Sequence, residues 1–98
     1  MSESLENIEY LKDKPETVEK VLQLEPASFN YNNDPDKITQ YGLIAEEVNE
    51  VFPELITYDK DGQIRSVKYH KLFGLLLAKI KDLQNKLINS KHHKSDDI

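Results

Sequence analysis

Between His70 and Asn89 the chain carries no proline, and Gly74 is the one poor helix former in that stretch. Apolar residues fall at Phe73, Leu76, Ile80, Leu83 and Leu87, in steps of 3, 4, 3 and 4. Side chains three and four apart share one face of a helix, so this is the a/d spacing of a heptad seam. Tyr69 extends the stripe backwards by four residues. The spacing predicts a long helix over 70–90, and at ~1.5 Å per residue twenty residues reach about 30 Å. Near its start the apolar surface widens to include Leu72, Leu75 and Leu77. A face that wide suits a globular partner as well as a seam. The first half is therefore expected to sit in a body and the second half to project as a coiled coil. The simpler alternative is a single amphipathic helix closing a one-chain core.

The seam does not fix an oligomer number. Ile80 at a with Leu76 and Leu83 at d leans toward two strands, whereas Phe73 and Leu87 at a blur that preference. In a parallel assembly the flanking Lys79 and Lys86 face Gln84 and Lys91, which gives no complementary pairs. These lysines are expected to be solvated or to meet the acidic body of a neighbouring subunit. The last residues, 91–98, read as a disordered tail, with His92 and His93 solvated rather than metal-bound.

Ninety-eight residues suit one small domain, which buries only about two-thirds of its unfolded surface and gains from oligomerisation. There is no cysteine, hence no disulfide framework and no thiol chemistry. No apolar run approaches the roughly 20 residues that span a bilayer, and the acidic N-terminus lacks the pattern of a secretion signal. Neither a membrane nor export by signal peptide is expected. The net charge of −5 argues against nucleic acid as a partner. Charge is uneven: residues 1–62 hold 15 acidic and 5 basic residues, and residues 63–98 hold 8 basic and 3 acidic. The two halves should attract, within one chain or between chains.

Upstream, Leu5, Ile8 and Leu11 are spaced by three. Asp13 before Pro15 and Glu16 resembles a helix N-cap with proline in the first turn. Val18, Val21 and Leu22 make one apolar face, so residues 15–24 read as a short helix ended by Pro26. Ser28–Tyr31 alternates like a strand, and residues 32–36 form a turn cluster. In the run from Tyr41 to Leu55, Gly42 permits a backbone kink. Ile44, Val48 and Val51 then recur at helical spacing, and Pro53 disfavours helix at Phe52. A strand or loop thus enters a short helix over 43–51 that stops sharply. Leu55–Tyr58 and Ile64–Tyr69 read as a hairpin turned by residues 59–62. That turn partly mimics a calcium loop, but Lys68 stands where the bidentate glutamate belongs, so no metal is expected.

Tyr41–Leu55 as a run of residues resembles the Y/G-F-I-A-Q-E-V-x-E-V-F-P-E-L segment of the intramolecular chaperone domain of endosialidase and phage tail-spike proteins, the S74 self-cleaving peptidase family. Leu24–Tyr31 resembles that family's L-x-P-V-x-F-x-Y segment. Asp61-Gly62 with Ser66–Tyr69 is similar to its D-G-x-x-S-V-D-Y hairpin, and His70–Leu83 to its S-x-L-x-x-L-L-x-x-A-I-K-E-L helix. The resemblance implies an α+β fold: short helices, a small antiparallel sheet, and a long C-terminal helix forming a trimeric coiled-coil-like bundle. It implies a homotrimer that brings three chains into register so that an upstream fibre or spike can fold. The trimer interface would be Tyr69, Phe73, Leu76, Ile80, Leu83 and Leu87. The body that docks on it would be held by Tyr41, Gly42, Ile44, Val48, Phe52 and Pro53. The partners implied are other copies of the chain and the upstream stalk. The setting implied is a viral tail-fibre or tail-spike precursor assembled in a host cytoplasm.

Family members release themselves through a serine nucleophile and a lysine base in the pattern S-D-x-x-L-K-x-N-I. Aligning its last two residues on Asn7-Ile8 puts the lysine at Leu5 and the serine before Met1. Neither catalytic residue is present in that register, so no catalytic residue and no cofactor is assigned. Residues 1–12 are read as the segment at the cleavage junction, 13–69 as the body and 70–90 as the helix, all in one domain. Two other readings stay open: a self-cleaving peptidase with its dyad in another register, and an oligomerisation module of a cellular self-processed protein.

Overall fold

A computed structural model describes residues 4–96. The chain divides into two units, Leu22–Phe73 and a second made of Met1–Val21 with Gly74–Ile98. Residues 15–21, expected in the body, group with the C-terminal helix.

In the first unit, strand β1 (Ala27–Phe29) pairs antiparallel with β2 (Gln40–Gly42), matching Ser28 with Tyr41. The long connection is organised by Asp34, whose carboxylate accepts the N–H groups of Asp36 at 3.0 Å and Ile38 at 2.9 Å. Lys37 there adopts a left-handed backbone, φ 52°, a conformation that costs a residue with Cβ free energy and that this fixed loop maintains. Residues 38–41 were expected to lead into the helix. Gln40 and Tyr41 instead lie in β2, where a partner strand satisfies backbone groups.

Helix α2 (Ala45–Val51) follows, with Glu46 and Glu47 in its first turn, where carboxylates favour the positive end of the helix dipole. It ends at Phe52, whose φ of −143° and ψ of 68° are the non-helical geometry that Pro53 imposes. A 3₁₀ turn over Pro53–Leu55 leads to β3 (Ile56–Tyr58), which pairs antiparallel with β4 (Ile64–Val67). The register slips after Thr57, so Tyr58 faces Ile64 and Arg65 is the extra residue of a bulge. The turn is held by the Asp59 carboxylate, which accepts from the N–H of Asp61 at 2.9 Å and of Gln63 at 3.0 Å. Gly62 takes the left-handed φ of 83° that this turn requires. The core of the unit is Val48, Phe52, Leu55, Ile56 and Val67, all buried between α2 and the β3–β4 pair. Burying each such side chain contributes about 1.5–3 kcal/mol. Thr57 and Ser66 share a hydroxyl hydrogen bond of 2.7 Å across the pair, and the Tyr58 hydroxyl donates to Asn49 on α2.

In the second unit, a 3₁₀ turn at Leu11–Asp13 precedes helix α1 (Pro15–Glu19), which tightens into 3₁₀ geometry over Lys20–Gln23. Asp13 is not the N-cap that the sequence suggests. Lys14 occupies that place with no side-chain cap, because Asp13 is drawn into the preceding turn, its N–H bonded to the Tyr10 carbonyl at 3.0 Å. Helix α3 runs from Leu72 to Asp96, beginning two residues later and ending later than the expected 70–90. Tyr69–Lys71 form a separate 3₁₀ turn before it. The expected tail at 91–98 overlaps the α3 backbone up to Asp96, and its last two positions lie outside the described residues. Among the described residues of this unit, Val18, Val21 and Leu75 are the buried apolar side chains.

The architecture is thus α+β, with two small antiparallel pairs rather than one sheet, and a long C-terminal helix.

Candidate assembly surface

Helix α3 presents two apolar faces of opposite character. One carries Leu75 and Lys79, both buried, with Ala78 and Asp82 partly covered. The other carries the expected seam, and it is open: Leu76 is 43% exposed, Leu83 48%, Leu87 57%, Ile80 61% and Phe73 76%. Leu77 and Ile88 extend the same exposed surface. Large apolar side chains exposed singly are ordinary, but seven on one helix face form the contiguous kind of patch that marks an interaction site.

Tyr69 does not belong to that stripe. It lies in the 3₁₀ turn ahead of α3, outside the helical register of the seam. Its hydroxyl accepts a hydrogen bond from the Leu43 N–H at 2.9 Å and lies 3.3 Å from the Leu43 carbonyl, to which it can donate. Both backbone groups sit at the junction of β2 with α2. Gly42 borders the same contact: a Cβ at that position would lie 2.6 Å from the Tyr69 hydroxyl. Space, not a kink, is what glycine supplies here, since Gly62 is the glycine with positive φ.

The other expected body residues separate by burial. Val48 and Phe52 are in the core, Ile44 and Pro53 lie at the surface, and Tyr41 is 82% exposed. Tyr41 takes part in the β1–β2 pair through its backbone, while its side chain is open. Leu55, among the two most deeply buried side chains, reads from the sequence as a strand residue but not as one of those holding the body, because a lone leucine two positions past a proline has no periodic signal. A groove of about 330 Å³ runs beside this core, lined by Phe29, Tyr31, Leu43, Ile44, Val67 and Tyr69 among others.

Lys79 was expected to be solvated or to reach a neighbouring subunit. It is instead 3% exposed and satisfied within its own chain. Its ammonium donates to Glu19 of α1 at 2.8 Å and to Asp82 at 3.0 Å, and Lys86 joins Asp82 at 3.2 Å. Hydrogen bonds to Glu19 and then Asp82 raise the Lys79 pKa above the ordinary lysine value. The same bonds from Lys79 and Lys86 lower that of Asp82. The sequence held one signal for this face: Leu72, Leu75, Lys79 and Asp82 also step by 3, 4 and 3. A lysine held this firmly charged is the opposite of a general base, which must be neutral near the working pH. Near the N-terminus, Lys14 pairs with Glu9, whose carboxyl pKa is lowered by that hydrogen bond. Among the described residues no cluster of three or more acidic, histidine or cysteine side chains could hold a metal. No described helix is long and apolar enough to cross a membrane.

The described residues thus comprise an α+β body and a long helix with an open apolar face. Residues 6–57 match the chaperone of endosialidase family, Peptidase S74, and the chain belongs to that family. The match takes in the strand segment at 24–31 and the run at 41–55. The second hairpin strand and α3 lie beyond it. No curated protein matches the chain.

Proposed function

We propose that this chain is a homotrimeric intramolecular chaperone. Its α3 seam associates with the seams of two further copies and so brings three upstream chains into register. The observation that carries this reading is the open face of Phe73, Leu76, Ile80, Leu83 and Leu87 on a helix whose other face is already occupied. The family's description as a chaperone supports the folding role. The physical logic is one of order. Intertwined multi-chain β-structure has many long-range contacts and folds slowly. A module that associates first makes the remaining assembly effectively intramolecular. The upstream stalk of the same polypeptide is the client, in a viral tail-fibre or tail-spike precursor assembled in a host cytoplasm. Self-cleavage is not assigned to this chain, because Leu5 stands where the expected register places the lysine.

The experiment is the double substitution Leu76→Asp with Leu83→Asp. Two carboxylates in the seam cannot be buried without a large desolvation cost, while both positions are exposed in the single chain. The expected product is a folded monomer by circular dichroism and light scattering. An unchanged trimer would refute the seam assignment.

A further inference from the structure

The opening turns of α3 are apolar almost all round. Leu72, Phe73, Leu75, Leu76, Leu77 and Ile80 follow one another with few interruptions. At 100° per residue the apolar positions from Leu75 round to Ile88 span roughly 220° of the circumference. Hydrophobic burial is non-directional. It therefore does not decide which part of this surface is covered by the chain itself and which part stays open. Turning the helix by one residue position would exchange leucine for leucine.

Lys79 breaks that degeneracy. It stands at the border between the two faces, four residues from Leu75 and three from Leu76. Its side chain is 4% exposed, and its ammonium meets Glu19 of α1 and Asp82 of α3. Rotation of α3 that carried the seam inward would take the ammonium away from Glu19 and leave Asp82, on the same helix, to satisfy a covered charge alone, which is costly. A polar residue inside an apolar contact is the best-attested device for fixing helix register, at some expense in stability. Glu19 and Asp82 remain 57% and 39% exposed. The pair is thus open to water at one end, and its net contribution to stability is small while its directional effect persists.

We propose that Lys79, through Glu19, is the positioning residue that selects the face of α3 packed on its own chain and so leaves the Leu76–Ile80–Leu83 face open for other copies. This rests on the assembly reading above for its purpose, but not for its test. The chain has no cysteine, so single thiols report on either face. Leu75→Cys marks the packed face and Ile80→Cys the open one. Each is labelled with a maleimide, at a dilution that favours single copies. The background is either the parent chain or the double variant Glu19→Leu with Lys79→Met, which removes the pair without stranding a charge. In the parent background the Leu75→Cys thiol should label slowly and the Ile80→Cys thiol fast. In the double variant the two rates should converge with helix content unchanged, and native mass spectrometry should give several oligomeric species in place of one. Lys79→Arg, which keeps the charge, should keep the rates apart. Rates and masses identical to the parent in the double variant would overturn the proposal. So would loss of helix, which would make the pair structural rather than selective. A parent chain that stays single while the rates still converge would refute the trimer reading and support face selection.

Discussion

The phenolic oxygen of Tyr69 lies 2.6 Å from the place a Cβ would take at Gly42. The hydroxyl is held there by the N–H of Leu43 at 2.9 Å, so it cannot simply swing aside. Two residues far apart in sequence thereby fix the end of β2 against the turn that precedes α3.

Gly42→Ala should destabilise the fold by about 1–3 kcal/mol, the usual cost of overpacking. The clash is with the hydroxyl alone, because the next ring atom, Cζ, is 3.5 Å away, an ordinary contact. Tyr69→Phe removes that oxygen and should make Gly42→Ala nearly neutral. A double-mutant cycle from urea midpoints reads the coupling. Additive effects would mean that the two residues do not share the space described.

Leu55→Ala should cost about 2–5 kcal/mol, the range for truncating a fully buried leucine. Tyr41→Ala, at an exposed position, should stay within about 0.5 kcal/mol in the single chain. Denaturant unfolding of both variants checks the contrast. Equal losses would mean that Tyr41 is covered in a way that the single chain does not reveal.

Acid should weaken the Asp82 cluster. A carboxyl whose folded pKa is lowered contributes stability that is fully present above its unfolded value, about 3.9. That contribution is lost as pH falls through the lowered folded value. Lys79, with its raised pKa, works in the opposite sense: its contribution is present below the unfolded value and lost as pH rises through the raised one. Asp82→Asn should therefore flatten the acid limb of a thermal-stability profile and leave the plateau between the two limbs level. An unaltered acid limb would show that the cluster carries no linked protons.

Salt should leave the assembled mass unchanged. Lys79 and Lys86 find their carboxylates within their own chain, so the seam that remains open is apolar. Sedimentation between about 0.01 M and about 1 M salt, where screening shortens from about 30 to 3 Å, tests this. Dissociation at high salt would mean that charges between copies hold the assembly.

Local chemistry was the legible part of this chain. Pro53 stops α2 at Phe52 because the residue before proline is barred from helix, and Asp59 with Gly62 turns the hairpin because each supplies what the turn requires. Long-range matters were not legible. The pairing of β1 with β2 depends on a partner across an irregular loop, and the strand alternation of residues 28–31 says nothing about which segment that is. Lys79 looked like a solvated lysine because its partner Glu19 is distant in sequence. Tyr69 fell on the heptad count by coincidence: helical spacing is meaningful only inside the helix, and α3 begins at Leu72. Of the expected site, the stripe from Phe73 to Leu87 is where the helix is open, whereas the body residues divide between core and surface.

The most direct measurement is absolute mass in solution by light scattering across a concentration series. The account predicts a species of three times 11.4 kDa that dissociates on dilution, if at all, without passing through a stable dimer. A mass of 11.4 kDa at every concentration would contradict it.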